Sequence, residues 1–336
     1  MVDITYDVAD PDSPTLTVYL KVSADGGVTW KGPVELVSGD VGREIVPGAG
    51  KRLVWDAGKE LPNKFGVKYR YRIGASDQWL VPAGMALIPA GPFQMGDYAR
   101  VGLPEQTVTV SAFAMDKWEV SIDLWETIRA WGNAHGYDLV AGNSFGAKHP
   151  VRSVSWFDVV KWNNARSEKE GMVPAYYEDV AMSKVYRNGD KVPGGVKWDT
   201  GYRLPTAAEW EKAARGGVVG KLYPWGTDEI SPTLANYNES NKGKTTPIGS
   251  YGANGYGLFD MAGNVWEWNW DWYFYFPVSQ ADPRGPSSGP GRMLRGGSWS
   301  DYMGAEHCRV ASRNYDGPGS RSYINGFRSV LPPGQP

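Results

Sequence analysis

Four tryptophans at every second position, Trp266, Trp268, Trp270 and Trp272 in WEWNWDW, fit an extended strand with its indoles on one face and Glu267 and Asp271 on the other. Such a face is scaffold, because indoles of that size need other large apolar groups to pack against. The rest of the chain supplies them. Aromatic residues make up 13% and there are 43 glycines, so many short elements and turns around aromatic cores are expected rather than long amphipathic helices. A chain of 336 residues is long enough for one large or two ordinary domains.

Charge and cysteine usage exclude several function classes. A formal net charge of -2 and a pI near 6.0 leave no broad basic face for counterion release, so no nucleic-acid partner is expected. No window approaches the apolar length of a membrane-spanning helix, so no membrane insertion is expected. The opening MVDITYDVADPDS lacks a basic and an apolar region, so no signal peptide is expected in the sequence as written. Cys308 is the only cysteine, which removes an intrachain disulfide, a cysteine zinc cluster and a CxxC redox centre. With three histidines, His135, His149 and His307, none at i, i+4 or HxE spacing, an iron or zinc site is not expected either. No GxSxG elbow, Walker loop or Rossmann fingerprint stands in a strand-turn-helix context.

Texture changes near residues 76–84. Before that boundary ITYDV, TLTVYLKVSA, KRLVWDA and VKYRYRIGA alternate with period two between turn residues, and SADGGVTW (23–30) reads as a hairpin. Residues 1–78 are therefore expected to form an all-β sandwich, which resembles immunoglobulin or fibronectin type III modules. After it, MALIPAGPFQMG (85–96) reads as a hairpin turning at PAG. Helices are expected over about 122–134 with Ser121 as cap, from 156 to about 169 with Ser155 and Asp158 as a capping box, and over 207–215 with Thr206 and Glu209 as another. Three short helices around a loop-rich sheet give an α+β class.

Residues 295–328 interleave two kinds of side chain. Arg295, Gly296, Gly297, Trp299, Cys308, Arg309, Ala311, Arg313, Pro318, Gly326, Phe327 and Arg328 form a stiff framework. Between them stand Ser300, Asp301, Tyr302, Gly304, His307, Ser312, Asn314, Tyr315, Asp316, Gly317, Gly319, Ser320, Ser322, Tyr323 and Asn325, the palette of binding loops. Diversity is tolerable only where such residues point into solvent from a backbone fixed by others, and Arg309, Arg313 and Arg328 are expected to fix it by bonding loop carbonyls.

The phrases GMALIPAGPFQMGD, PVRSVSWFDVVKWNN, YRLPTAAEWEKAARGG, YPWG, GLFDMAGNVWEW, RMLRGGSW, CRVASR and NGFRSV, in this order, resemble the formylglycine-generating-enzyme family. That resemblance implies a C-type-lectin-like fold for residues 84–332. It also implies Ca²⁺ beside GNVWEW, at Asn264, Glu267 and intervening carbonyls, with Asn236 at a second site; no cofactor is otherwise expected. The family's oxidising enzymes use two copper-binding cysteines, and the matching positions here are Ala305 and Val310, which offer a soft metal no ligand. Hence no enzyme is expected, the alternative being a related oxidoreductase or pseudoenzyme acting on a protein.

Residues 299–328 further resemble the variable regions of proteins diversified by retroelements, in which AAC codons are mutated at adenines. Every interleaved residue named above belongs to the set those changes generate, whereas Met303 and Glu306 do not. The combined expectation is a non-catalytic receptor or adhesin, extracellular or on a cell surface, binding a protein or glycan on another cell, phage or host.

Overall fold

The computed structural model describes residues 1–9, 16–25, 27, 34, 36–60, 69–76, 81–97, 102–275 and 279–333. Two compact units result, Met1–Leu80 and Val81–Pro333.

The first unit holds β1 (Val2–Val8), β2 (Leu16–Ser23), β3 (Val37–Gly39), β4 (Gly42–Ile45), β5 (Gly48–Trp55) and β6 (Arg70–Ser76). Two antiparallel three-stranded sheets form, ordered β1-β5-β3 and β4-β2-β6. Period-two alternation places Leu16, Val18, Leu20 and Val22 inward. Ile4, Leu53 and Trp55 from one sheet share a core with Leu20 and Val22 from the other, so the unit is a two-sheet β-structure. The hairpin expected over SADGGVTW (23–30) includes residue 26 of its DGG turn and residues 28–30 of its second strand, which lie outside the described residues.

The second unit is mostly strand and loop with few helices. Its elements are β7 (Met85–Ile88), β8 (Gly91–Asp97), β9 (Leu103–Val110), β10 (Phe113–Asp116), α1 (Ile122–Ala134), α2 (Trp156–Lys169), β11 (Tyr176–Tyr177), β12 (Gly195–Val196), α3 (Ala207–Arg215), β13 (Trp266–Trp272), β14 (Arg292–Arg295), β15 (Asn314–Asp316), β16 (Asn325–Gly326) and β17 (Val330–Leu331). All three expected helices are present. Ser121 caps α1 through the Leu124 N–H, and capping boxes at Ser155/Asp158 and Thr206/Glu209 start α2 and α3. Gly216, at φ +59°, ends α3 in the left-handed conformation.

The expected hairpin over 85–96 does not form. β7 pairs with β10, placing Ile88 opposite Phe113, while β8 pairs with β9. PAG lacks the Asn-Gly or Gly-X pair of a tight hairpin, and burial of Ile88 and Phe113 against a shared core outweighs local closure.

The central sheet runs β15-β14-β13-β16, with β13 and β16 parallel. Trp266 and Trp268 enter one core with Trp125, Trp156, Trp162 and Phe327. Trp125 and Trp162 stack at 5.7 Å, and Phe327 meets Trp162 edge-on at 5.2 Å. Glu267 and Asp271, on the other face of β13, are both buried, because α3 packs there and the Trp210 Nε1–H donates to Glu267 at 2.7 Å.

Candidate functional site

Four buried arginines build the floor. Arg295 on β14 pairs with Glu211 at 2.6 Å and donates to the carbonyls of Val310, Ala311 and Ser312. Arg313 donates to the Phe274 and Tyr275 carbonyls, the latter at 2.7 Å. Arg328 grips both oxygens of Glu267 and donates to the carbonyls of Asp116, Lys117 and Phe259. Arg292 lies between the Trp156 and Trp272 rings, 3.8 and 3.9 Å from their centroids. Burial opposes ionisation of Glu211, yet Arg215, Arg295 and Arg313 hold it down to about 2. Burial first, with repulsion from Arg313 and Arg215, pulls the Arg295 guanidinium down to about 10 despite Glu211. Arg309 is not part of this floor: it is only half-buried, and its ion pair with Glu306 is long, at 3.7 Å.

Above the floor the segment expected to bind divides. Tyr302 (86% exposed), Tyr315 (46%) and Tyr323 (51%) project outward, and Gly317 and Gly319 are exposed. Ser300, His307, Asn314, Asp316, Ser320 and Ser322 are half-buried. The stretch from Gly317 to Asn325 is tied to the start of α2: the Trp156 N–H donates to Pro318 O, the Ser153 N–H to Ser322 O, and Arg321 to Asp158 at 2.8 Å.

Asp301, Gly304, Ser312 and Asn325 are buried and belong to the support rather than to the contact face. Asp301 accepts from the Met303 N–H and from His307 Nδ1 at 2.9 Å, which fixes the 301–307 loop. Gly304, at φ +50°, sits where a Cβ would fall 2.2 Å from the Glu239 carboxylate oxygens. Ser312 Oγ donates to Glu306 O, and Asn325 Nδ2 donates to Asp316 while its backbone, in β16, pairs in parallel with Trp266 of β13.

Sequence reasoning missed residues that join this face from elsewhere. Tyr273 lies 4.6 Å from Tyr315 and 5.4 Å from Tyr275, which is 59% exposed. Phe145, 43% exposed, meets Trp299 at 5.8 Å; Trp299 meets Tyr323 at 5.9 Å; and the Arg152 guanidinium lies 4.1 Å over Phe145. The aromatic richness of WYFYF was visible, but no spacing ties residue 145 or 275 to residue 315 or 323.

The positions expected to have lost copper ligands are Ala305, half-buried, and Val310, which packs in the core beside Trp210 and Met293. Cys308 is fully buried with Tyr223, Ala235, Tyr237 and Ala262. Burial, reinforced by Asp301 and Glu239, pushes its thiol far above the usual range, the opposite of an activated nucleophile.

The three residues expected to hold calcium are otherwise engaged. Both Glu267 oxygens face Arg328, the Asn264 side chain bonds Glu119 and the Thr246 N–H, and Asn236 bonds Ser240 and Lys244. Among the described residues no group of three or more His, Cys, Asp or Glu is placed to hold a metal ion. These three side chains therefore leave no open carboxylate for Ca²⁺.

Comparison with known proteins places this geometry. Residues 75–332 match the model of the sulfatase-modifying factor enzyme 1-like domain. The formylglycine-generating enzyme of Thermomonospora curvata is 31% identical over 301 residues, covering 75% of this chain and 95% of its own. The mouse inactive C-alpha-formylglycine-generating enzyme 2 is also 31% identical, over 75% of this chain and 87% of its own. Among solved structures, Treponema denticola variable protein 1 superposes with a TM-score of 0.63 and 31% identity, over 74% of this chain and 95% of its own.

Proposed function

The chain belongs to the sulfatase-modifying factor enzyme 1-like family, and within it we propose a non-catalytic binding protein with a diversified face for a protein or glycan ligand. One observation carries the reading: Tyr302, Tyr315 and Tyr323 stand outward on a segment whose own buried arginines tie it to main chain, Arg295 to the carbonyls of residues 310–312 within it, Arg313 and Arg328 to those of Tyr275 and Phe259 outside it. Large aromatic anchors on a rigid support bind at low entropic cost, and support and contact can then change independently. Tyr275 and Phe145 are fixed members of the same face. The likeness to a variable protein and the existence of an inactive family member support the assignment. The protein acts outside the cell, with residues 1–78 as an immunoglobulin-like presenting module, and it needs no cofactor.

Sequencing the DNA that flanks the gene tests the proposal. The expected result is a near-copy of codons 295–328 beside a reverse transcriptase, differing only at adenines. Those adenines should concentrate at the exposed codons and spare the four buried positions. A flank without such a copy ends the diversification reading. The second reading, an oxidoreductase acting on a protein, is favoured by the names of the curated relatives. Copper-dependent oxygen uptake by the purified chain would establish it in place of the first.

A further inference from the structure

A second concave site lies within the Val81–Pro333 unit, and no residue of the 295–328 segment lines it. Its volume of about 550 Å³ is that of a small-molecule site. One wall is Trp198, held edge-on by Trp270 at 5.5 Å, with Met182, Val196 and Pro332 completing an apolar surface.

The polar groups of this cavity are unbalanced. Arg203, 5% exposed, gives its terminal nitrogens to Glu209 and Leu204 O, but its buried Nε has no hydrogen-bond partner. The Arg284 guanidinium lies 4.3 Å from the Trp198 ring centroid, and the Lys197 ammonium 4.7 Å from that of Tyr177. Neither cation has a hydrogen-bond acceptor or an ion-pair partner among the described residues.

The acceptors nearby are already used. Both Glu209 oxygens accept from Arg203, and both Asp282 oxygens accept from Ser111, at 2.7 and 2.8 Å. Asp199 is engaged as well. Donors are thus in surplus on one side of an aromatic wall. Burial first, and repulsion from Arg203 second, pull the Arg284 guanidinium below its ordinary value, a cost that an incoming anion would relieve.

We propose that this cavity binds an acceptor-only anionic group, a carboxylate, sulfate or phosphate, carried on a ligand with a flat apolar face that lies against Trp198. Arg284 and Lys197 hold the charge, the planar guanidinium fork matching two oxygens of the anion. The buried Arg203 Nε–H supplies a fixed donor.

Calorimetry and saturation-transfer NMR on the full chain at low salt test this with glucuronate, sulfate and phosphate, and with methyl glucoside as the neutral control. At least one anion is expected to bind one-to-one while the control does not, and which anion binds identifies the group recognised. Arg284→Gln and Lys197→Gln should each weaken binding by about tenfold or more, Arg284→Lys less, with Tyr315→Ala unchanged. Absence of binding by all three anions up to about 10 mM overturns the proposal. So does a control that binds as well as the anions, or an affinity that survives Arg284→Gln.

Discussion

Replacing Arg328 by Met should show how strongly the floor is held. The guanidinium is fully buried, bonds both oxygens of the equally buried Glu267 at 2.8–3.0 Å, and supplies three backbone carbonyls. Methionine keeps most of the volume but leaves a buried carboxylate without its partner, a loss of about 3–5 kcal/mol. For a unit of this size that lowers Tm by roughly 6–20 °C. The origin of the loss is visible in its pH dependence. Burial lifts Glu119 well above the carboxylate range and Asp260 to about 6, and Arg328 opposes both shifts. A carboxyl whose folded pKa is raised costs no stability below its unfolded pKa and progressively more as pH rises through its folded one. Removing Arg328 raises both groups further, so the deficit should be larger at pH 8 than at pH 5. Adding Glu267→Gln to Arg328→Met should recover part of the loss. Urea denaturation followed by tryptophan fluorescence measures all of this. A deficit under about 1 kcal/mol, or one independent of pH, would refute the argument that an unpaired buried charge is what Arg328 prevents.

Gly304→Ala should destabilise by about 1–3 kcal/mol, because it adds left-handed strain and displaces the Glu239 carboxylate. Gly317→Ser and Gly319→Ser, where nothing lies within 4 Å of a new Cβ, should cost about half a kcal/mol or less in the same melt. Burial pushes Asp271 up to about 7 although it accepts from the Ala207 N–H. Its contribution is therefore lost as pH rises through 7, and Asp271→Asn should flatten that decline between pH 5 and 8 in chemical denaturation. Cys308 should resist iodoacetamide in the native protein and take one equivalent in denaturant, read by mass spectrometry; rapid native labelling would contradict its burial.

Local signals were legible in the sequence and long-range ones were not. Ser155/Asp158 and Thr206/Glu209 announce helix starts because each box closes within four residues. The pairing of β7 with β10 spans the whole β8-β9 hairpin, and no turn chemistry encodes it. Glu267 and Asp271 show the limit of periodicity: alternation sorts side chains onto two faces but does not say whether the second face is wet, and here α3 covers it. In the C-terminal segment, the tyrosines that composition singled out, Tyr302, Tyr315 and Tyr323, are exposed. Asp301, Ser312 and Asn325 use the same polar palette for internal hydrogen bonds, so composition alone sorts them onto the wrong side.

What makes a changeable face compatible with a fixed fold is the choice of acceptor. Arg295, Arg313 and Arg328 direct eight hydrogen bonds to backbone carbonyls of residues 310–312, 274–275, 116–117 and 259, and their carboxylate partners, Glu211 and Glu267, lie on α3 and β13 outside the segment. Carbonyl oxygens are present whatever side chain a position carries. A floor that recognised side chains would have to change whenever the face did, with each mismatch leaving a buried donor unpaired at about 1–3 kcal/mol. A floor that recognises the main chain is indifferent to what stands at Tyr315 or Tyr323, which is why substitution there should alter binding and leave the melt where it was.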